Sequence, residues 1–267
     1  MQNTASPIVI YKATNKSNCE ECGEKTCFAF ASLAAKGLKA VSDCPYLPDE
    51  DKERFAIEID QKKAGEGFLD ETFLALKEEI AKIDFYDAAD KLEAEVLRGR
   101  LNIKCLGKNF YIDRNGHVAS EIHVHAWIQG PLLNYVVRSS SKRPSGNWVV
   151  FKQLPSGVKW NPLYVQRCEK PLLKIANENI ELFRKVINLF GTETPVKGIE
   201  ADMAILAYPL PKMPFLICYC EPEDRFASNL QFYYDRDAED ILCIEAIYSL
   251  ATGMAIMIEK IMKKHMS

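Results

Sequence analysis

Nine cysteines are the residues of this chain best suited to chemistry, and they are unevenly placed. Cys19, Cys22, Cys27 and Cys44 fall within 26 residues, while five others scatter over the 223 that follow. The spacing is C-x2-C-x4-C-x16-C, with Gly23 after the second cysteine and Pro45 after the fourth. A [4Fe–4S] cluster needs four thiolates converging on a small inorganic core, and one tight loop supplies three of them. Gly23 allows a sharp turn with no side chain in the way of the sulfurs. Zinc also takes four cysteines, but its structural sites use paired short knuckles, whereas here three ligands crowd one loop with a distant fourth. A [2Fe–2S] centre is the third alternative, and the spacing suits it less. Cys19, Cys22, Cys27 and Cys44 are therefore the expected ligands of one [4Fe–4S] cluster.

Other reactive side chains carry weaker signals. His117, His123 and His125 lie within nine residues, beside Trp127. In a strand His123 and His125 would share a face, and in a helix they would diverge. They read as surface or hydrogen-bonded histidines rather than metal ligands or a proton relay, and catalytic residues are left unassigned. Cys218 and Cys220 alternate on one expected strand, and with Cys105, Cys168 and Cys243 they read as small apolar residues. Gly65-Glu66-Gly67 lacks the strand that a nucleotide fingerprint requires, and Asp235 to Asp240 reads as a helix start rather than a metal site. No phosphate loop, nucleophile elbow or zinc-protease motif is present.

The elements that must position the four cysteines follow from local pattern. A helix is expected from Phe28 to Val41, with Cys27 at its start and its positive end toward an anionic cluster. Its alanines make it thin, and Phe28, Phe30, Leu33, Leu38 and Val41 are expected to form a small dry core. Cys44-Pro45-Tyr46-Leu47-Pro48 then turns, and Asp49-Glu50-Asp51 opens another helix. Lys62 to Gly67 reads as a hinge.

Beyond it, apolar spacing predicts helices over 70–83 and 91–101, a β-hairpin over 101–113 and a short strand over 148–154. A helix over 169–190 and strands over 203–208, 215–220 and 230–234 come next. A long terminal helix is expected from near Asp237, capped by that side chain. A helix over 122–137 is interrupted by Gly130-Pro131. Strands grouped in hairpins with helices around them predict an α+β fold: a small helical module followed by an antiparallel sheet domain with packed helices. The expected divisions are a cluster module (1–50), a helical linker and hinge (51–67) and an α+β domain (68–267).

Composition narrows the classes. Hydrophobic residues make up 48% and charged residues 27%, ordinary for a globular protein. A formal charge of −3 offers no general attraction to nucleic acid or anionic lipid, so neither is an expected partner. The start MQNTASPIVIYK does not read as a signal peptide, and Glu245 interrupts the apolar stretch 241–258, which reads as a buried helix. Nine cysteines without an export signal point to a reducing cytoplasm.

Three stretches carry a family resemblance: Ile8 to Lys12, Asn18 to Ala31 with its Phe-Ala-Phe-Ala run, and Ser42-Asp43-Cys44-Pro45-Tyr46. Together, over about residues 5–50, they resemble the iron–sulfur domain on the large subunit of the corrinoid iron–sulfur protein of anaerobic acetyl-CoA metabolism. That domain also occurs in electron-transport subunits of anaerobes. The resemblance implies that all four cysteines are ligands and that the task is one-electron transfer at low potential, with a redox partner that could be a corrinoid protein. The remaining 220 residues are too few for that family's barrel and cobalamin domain. They resemble instead a family of anaerobic bacteria and archaea defined as a domain of unknown function. The chain thus reads as an electron-transfer or accessory protein rather than a stand-alone enzyme. The alternatives are a non-redox binding or assembly factor whose cluster is a structural staple, and an enzyme whose active site lies in the second domain.

Overall fold

The computed structural model describes residues 5–223 and 226–266, without the side chains of 60–71. The expected hinge at 62–67 lies outside the side chains described. The chain divides into two compact units, residues 1–74 and 75–267.

In the first unit, Ser6 accepts from the Val9 amide at 3.4 Å and Pro7 stands in the first turn, starting helix α1 (Pro7–Ala13). Helix α2 (Cys27–Ala35) is shorter than the expected 28–41. Gly37 takes φ +64°, its amide reaches the Ala34 carbonyl at 2.8 Å, and the Leu38 amide reaches the Leu33 carbonyl at 2.9 Å. This left-handed cap stops the helix, and Val41–Asp43 forms a separate 3₁₀ turn. Helix α3 (Asp49–Ile80) opens on Asp49, Glu50 and Asp51, whose charges suit its positive end. The core gathers Ile10, Phe30, Ala31, Ala34, Val41, Cys44, Leu47, Phe55 and Ile59. Phe30 and Val41 are buried as expected, but Phe28 and Leu38 are exposed, because the early end of α2 carries Leu38 off the buried face.

In the second unit, Asp84 accepts from the Tyr86 and Asp87 amides and caps α4 (Phe85–Leu92). The expected helix over 91–101 does not form. Glu93 turns left-handed at φ +54°, and β1 (Glu95–Leu97) pairs with β2 (Arg100–Cys105) through a two-residue turn, Arg98-Gly99, with positive φ at both positions. Strands β3 (Lys108–Ile112) and β4 (Val118–Ser120) complete an antiparallel meander in the order β1-β2-β3-β4.

Helix α5 (Ala126–Arg138) contains Pro131 yet continues through it. Proline leaves the Trp127 carbonyl without its helical partner, and the Ser249 hydroxyl donates to that carbonyl at 3.5 Å. Strand β5 (Trp148–Val150) precedes α6 (Gly157–Tyr164), a π turn over Val165–Glu169, α7 (Lys170–Glu178) and α8 (Ile180–Ile187). The single helix expected over 169–190 is broken at Asn179, whose side chain caps α8 by accepting from the Leu182 amide at 3.0 Å.

Strands β6 (Gly191–Glu193), β7 (Met203–Leu210), β8 (Met213–Cys220) and β9 (Asn229–Asp235) join β5 in an antiparallel sheet ordered β5-β9-β8-β7-β6. Asp237 caps nothing through its side chain. A four-residue α9 (Ala238–Ile241) ends at extended Leu242, and α10 (Ile244–Met266) starts anew. Helix α10 packs close to α5: a Cβ on Gly253 would lie 2.1 Å from the Trp127 ring. Among the described residues no helix is long and apolar enough to cross a membrane. The architecture is α+β, a helical module followed by an antiparallel sheet domain with packed helices.

Candidate metal centre

The loop between α1 and α2 is wound tightly. Lys16, Asn18, Glu20 and Gly23 all take positive φ, and the Gly23 amide closes a turn on the Glu20 carbonyl at 2.8 Å. Gly23 is at φ +79°, where a side chain is strained, and a Cβ there would crowd the Lys39 ammonium at 3.2 Å. Thr26 accepts from the Ala29 amide at 3.0 Å and starts α2, which sets Cys27 in the first position of that helix. Asn18 holds Cys27 from both sides. Its side-chain oxygen accepts from the Cys27 amide at 2.8 Å, and its own amide donates to the Cys27 sulfur at 3.4 Å. The two bonds fix the position of the Cys27 sulfur at the start of α2.

Two side-chain ties draw the chain around Cys44 back to this loop. Tyr46 donates to the Glu21 carboxylate at 2.7 Å, and the Lys39 ammonium meets Glu24 at 2.9 Å. The Tyr46 phenol is pushed up by its bond to Glu21, then by the Glu21 charge and loss of water, and further by the charges of Cys19 and Cys44. The Lys39 ammonium is held above its ordinary value chiefly by its bond to Glu24, with the nearby charges of Glu24, Cys22 and Asp43 adding to it. One cation and one phenol thus sense three of the four thiols.

Cys27 and Cys44 are buried at 6% and 4% exposure, Cys22 is half-buried and packs on the core, and Cys19 is exposed. Among the described residues, no three His, Cys, Asp or Glu side chains are gathered closely enough for a single metal ion. Four thiols on one latched loop and turn, with a backbone donor already on one sulfur, fit the ligand needs of an iron–sulfur cluster.

The remaining cysteines have a different setting. Cys105, Cys168 and Cys218 are buried in the second unit, and burial pushes the thiols of Cys105 and Cys218 up to about 12 and that of Cys168 higher still. Loss of water likewise raises Cys220 and Cys243. Groups that resist ionising are poor ligands. His123 and His125 lie in the loop before α5, not on a strand. Their rings meet edge-on at 4.5 Å, and His125 stacks on Trp127 at 6.1 Å. His117 pairs with Asp113 at 3.3 Å. Asp235 is buried and accepts from Ser145 and from the Gly146 and Asp237 amides, a structural role.

The ties Glu21–Tyr46 and Glu24–Lys39 were not foreseeable from spacing, because they depend on where the chain returns. Glu169 was missed as well. Its buried carboxylate accepts from Gln231 at 2.5 Å and from the Phe232 amide at 3.1 Å, where β5 stops short and leaves the edge of β9 open. Burial pushes this carboxyl up to about 7, against the bonds from Phe232 and Tyr164 that lower it.

Comparison with known proteins divides the chain at a similar place. Residues 15–46 match the family described as "Putative Fe-S cluster", and residues 84–257 match "Domain of unknown function (DUF3786)". The subunit gamma 1 of the acetyl-CoA decarbonylase/synthase complex of Methanosarcina thermophila is 32% identical over 193 residues, covering 65% of this chain and 40% of the relative. The gamma subunit from Methanosarcina acetivorans is 31% identical over the same length and shares. The corrinoid/iron-sulfur protein large subunit of Moorella thermoacetica is 48% identical over 46 residues, 17% of this chain and 10% of the relative. The chain therefore spans about 40% of the length of the first two relatives. No solved structure matches it. The N-terminal stretch is an iron–sulfur domain.

Proposed function

The chain belongs to the DUF3786 family, and from that premise we propose that it is a redox protein holding one [4Fe–4S] cluster on Cys19, Cys22, Cys27 and Cys44. It passes single electrons to a partner protein, and the names of its relatives favour a corrinoid protein. The proposal confines the cluster to residues 1–50, with 51–67 as the connecting segment and 68–267 as the domain it serves. The observation that carries the reading is the latch of the Cys44 turn onto the cysteine loop through Tyr46–Glu21 and Lys39–Glu24.

A bound cluster supplies a one-electron couple, and all-cysteine ligation places it in the lower part of the known range of potentials. The residues of the chain do the rest. Asn18 fixes the Cys27 sulfur and donates to it. Phe30, Val41 and Leu47 share a buried core with Cys44 and keep water from that side of the site. Exposed Cys19 leaves one side open, which gives a partner a short path for an electron. Lys12, Lys16 and Lys25 are exposed on the same unit, and a partner with an acidic patch would dock there.

Anaerobic voltammetry with stopped-flow mixing tests the reading. A reversible one-electron couple is expected, with transfer of the electron from the reduced protein to an oxidised corrinoid acceptor. A centre that cannot be reduced without losing iron would make it a structural staple instead.

A further inference from the structure

Helices α1 and α2 of the first unit leave an apolar surface uncovered beside the cysteine loop. Ile8, Tyr11 and Lys12 stand three and four residues apart on α1 and so share one side of it, while Ile10 is in the core. Tyr11 meets Phe28 of α2 edge-on, with ring centroids 5.5 Å apart. Tyr11 is half-buried, but Phe28 is 51% exposed and Ile8 60%. Phe28 directly follows Cys27, so this surface begins one residue from a proposed cluster ligand.

The free charge near it is mostly positive. Lys12 and Lys25 are exposed and have no ion pair or side-chain hydrogen bond among the described residues. Lys16 is exposed too and holds its ammonium 5.9 Å from the centre of the Tyr11 ring. Of the carboxylates in the cysteine loop, Glu21 is bonded to Tyr46 and Glu24 to Lys39, which leaves Glu20 against the three lysines. Aromatic anchors inside a charged rim suit a protein partner. The patch is small, but transient redox encounters need little area, less than about 1,200 Å2 in total. A bilayer is a poorer fit, because binding to lipid scales with apolar area and three side chains supply little of it.

We propose that the Tyr11–Phe28 face is the docking surface for the electron acceptor, a protein whose redox centre lies beneath an apolar surface ringed by carboxylates. The inference rests on the proposed redox role and adds the apolar contact that holds the acceptor once the lysines have attracted it. The reduced cluster loses one electron and the oxidised acceptor gains it, with no bond made or broken. The test is stopped-flow oxidation of the reduced full chain by two acceptors, an acidic flavodoxin and a dissolved viologen small enough to need no docking surface. Phe28→Ser should lower the second-order rate constant for flavodoxin about tenfold, and Ile8→Ser about threefold. The viologen rate and the iron content should stay those of the parent. If Phe28→Ser loses iron, Ile8→Ser decides alone. Flavodoxin rates unchanged in both variants, or viologen rates that fall equally, would overturn the inference and leave the redox role standing. So would binding of the parent to phosphatidylglycerol vesicles that Phe28→Ser abolishes, since the face would then be a membrane contact. A centre that passes no electron to either acceptor would overturn the redox role, and this inference with it.

Discussion

Replacing Asn18 by alanine removes two things at once. It deletes the oxygen that accepts from the Cys27 amide at 2.8 Å, and it places alanine at φ +51°, a left-handed conformation that asparagine tolerates. The lost bond is worth about 0.5–1.5 kcal/mol and the conformational penalty about 1–2 kcal/mol. Together they weaken the cluster loop by about 1.5–3.5 kcal/mol, or roughly 10- to 300-fold in the equilibrium that holds Cys27 in place. Asn18→Gly separates the two effects, since glycine accepts the backbone and loses only the bond, leaving about 2- to 10-fold. The assay is anaerobic iron release to a chromogenic chelator at several temperatures. Alanine should release iron fastest, glycine at an intermediate rate and the parent slowest. Equal rates for all three would refute the argument that Asn18 positions a ligand.

Further predictions rest on other sites. Glu169 is raised to about 7 when folded against about 4.5 unfolded, so the folded state binds more protons between those values. Stability should therefore fall as pH rises from 4.5 through 7, by at most about 3 kcal/mol, and Glu169→Gln should flatten that slope in urea titrations at pH 5.5 and 8. Gly253→Ala forces a methyl into the Trp127 ring and should cost about 1–3 kcal/mol, read as a lower melting temperature with the iron content unchanged. Reversing the charge of Lys12, Lys16 and Lys25 should slow reduction of an acidic acceptor and invert the effect of salt, so that added salt slows the parent and speeds the variant.

The iron–sulfur domain was legible because cysteine spacing is local. Three cysteines in one loop, a glycine among them and a proline after the fourth state the chemistry without long-range contacts. Strands β7, β8 and β9 were legible as apolar runs between turns. The helix expected over 91–101 was wrong because Leu92, Glu93, Ala94, Glu95 and Leu97 are helix formers. The Arg98-Gly99 turn, which decides the matter, is a weak signal next to them. Asn179 and Gly37 were visible stop signals overruled by apolar spacing that continues across them. The Tyr11–Phe28 contact was not legible at all, since it depends on how α1 packs against α2.

Iron, acid-labile sulfide and zinc per chain, measured on protein purified without oxygen, test the central claim most directly. The account predicts about four iron and four sulfide per chain, lost when Cys19, Cys22, Cys27 or Cys44 becomes serine and retained in Cys218→Ser. One zinc per chain with neither iron nor sulfide would contradict it.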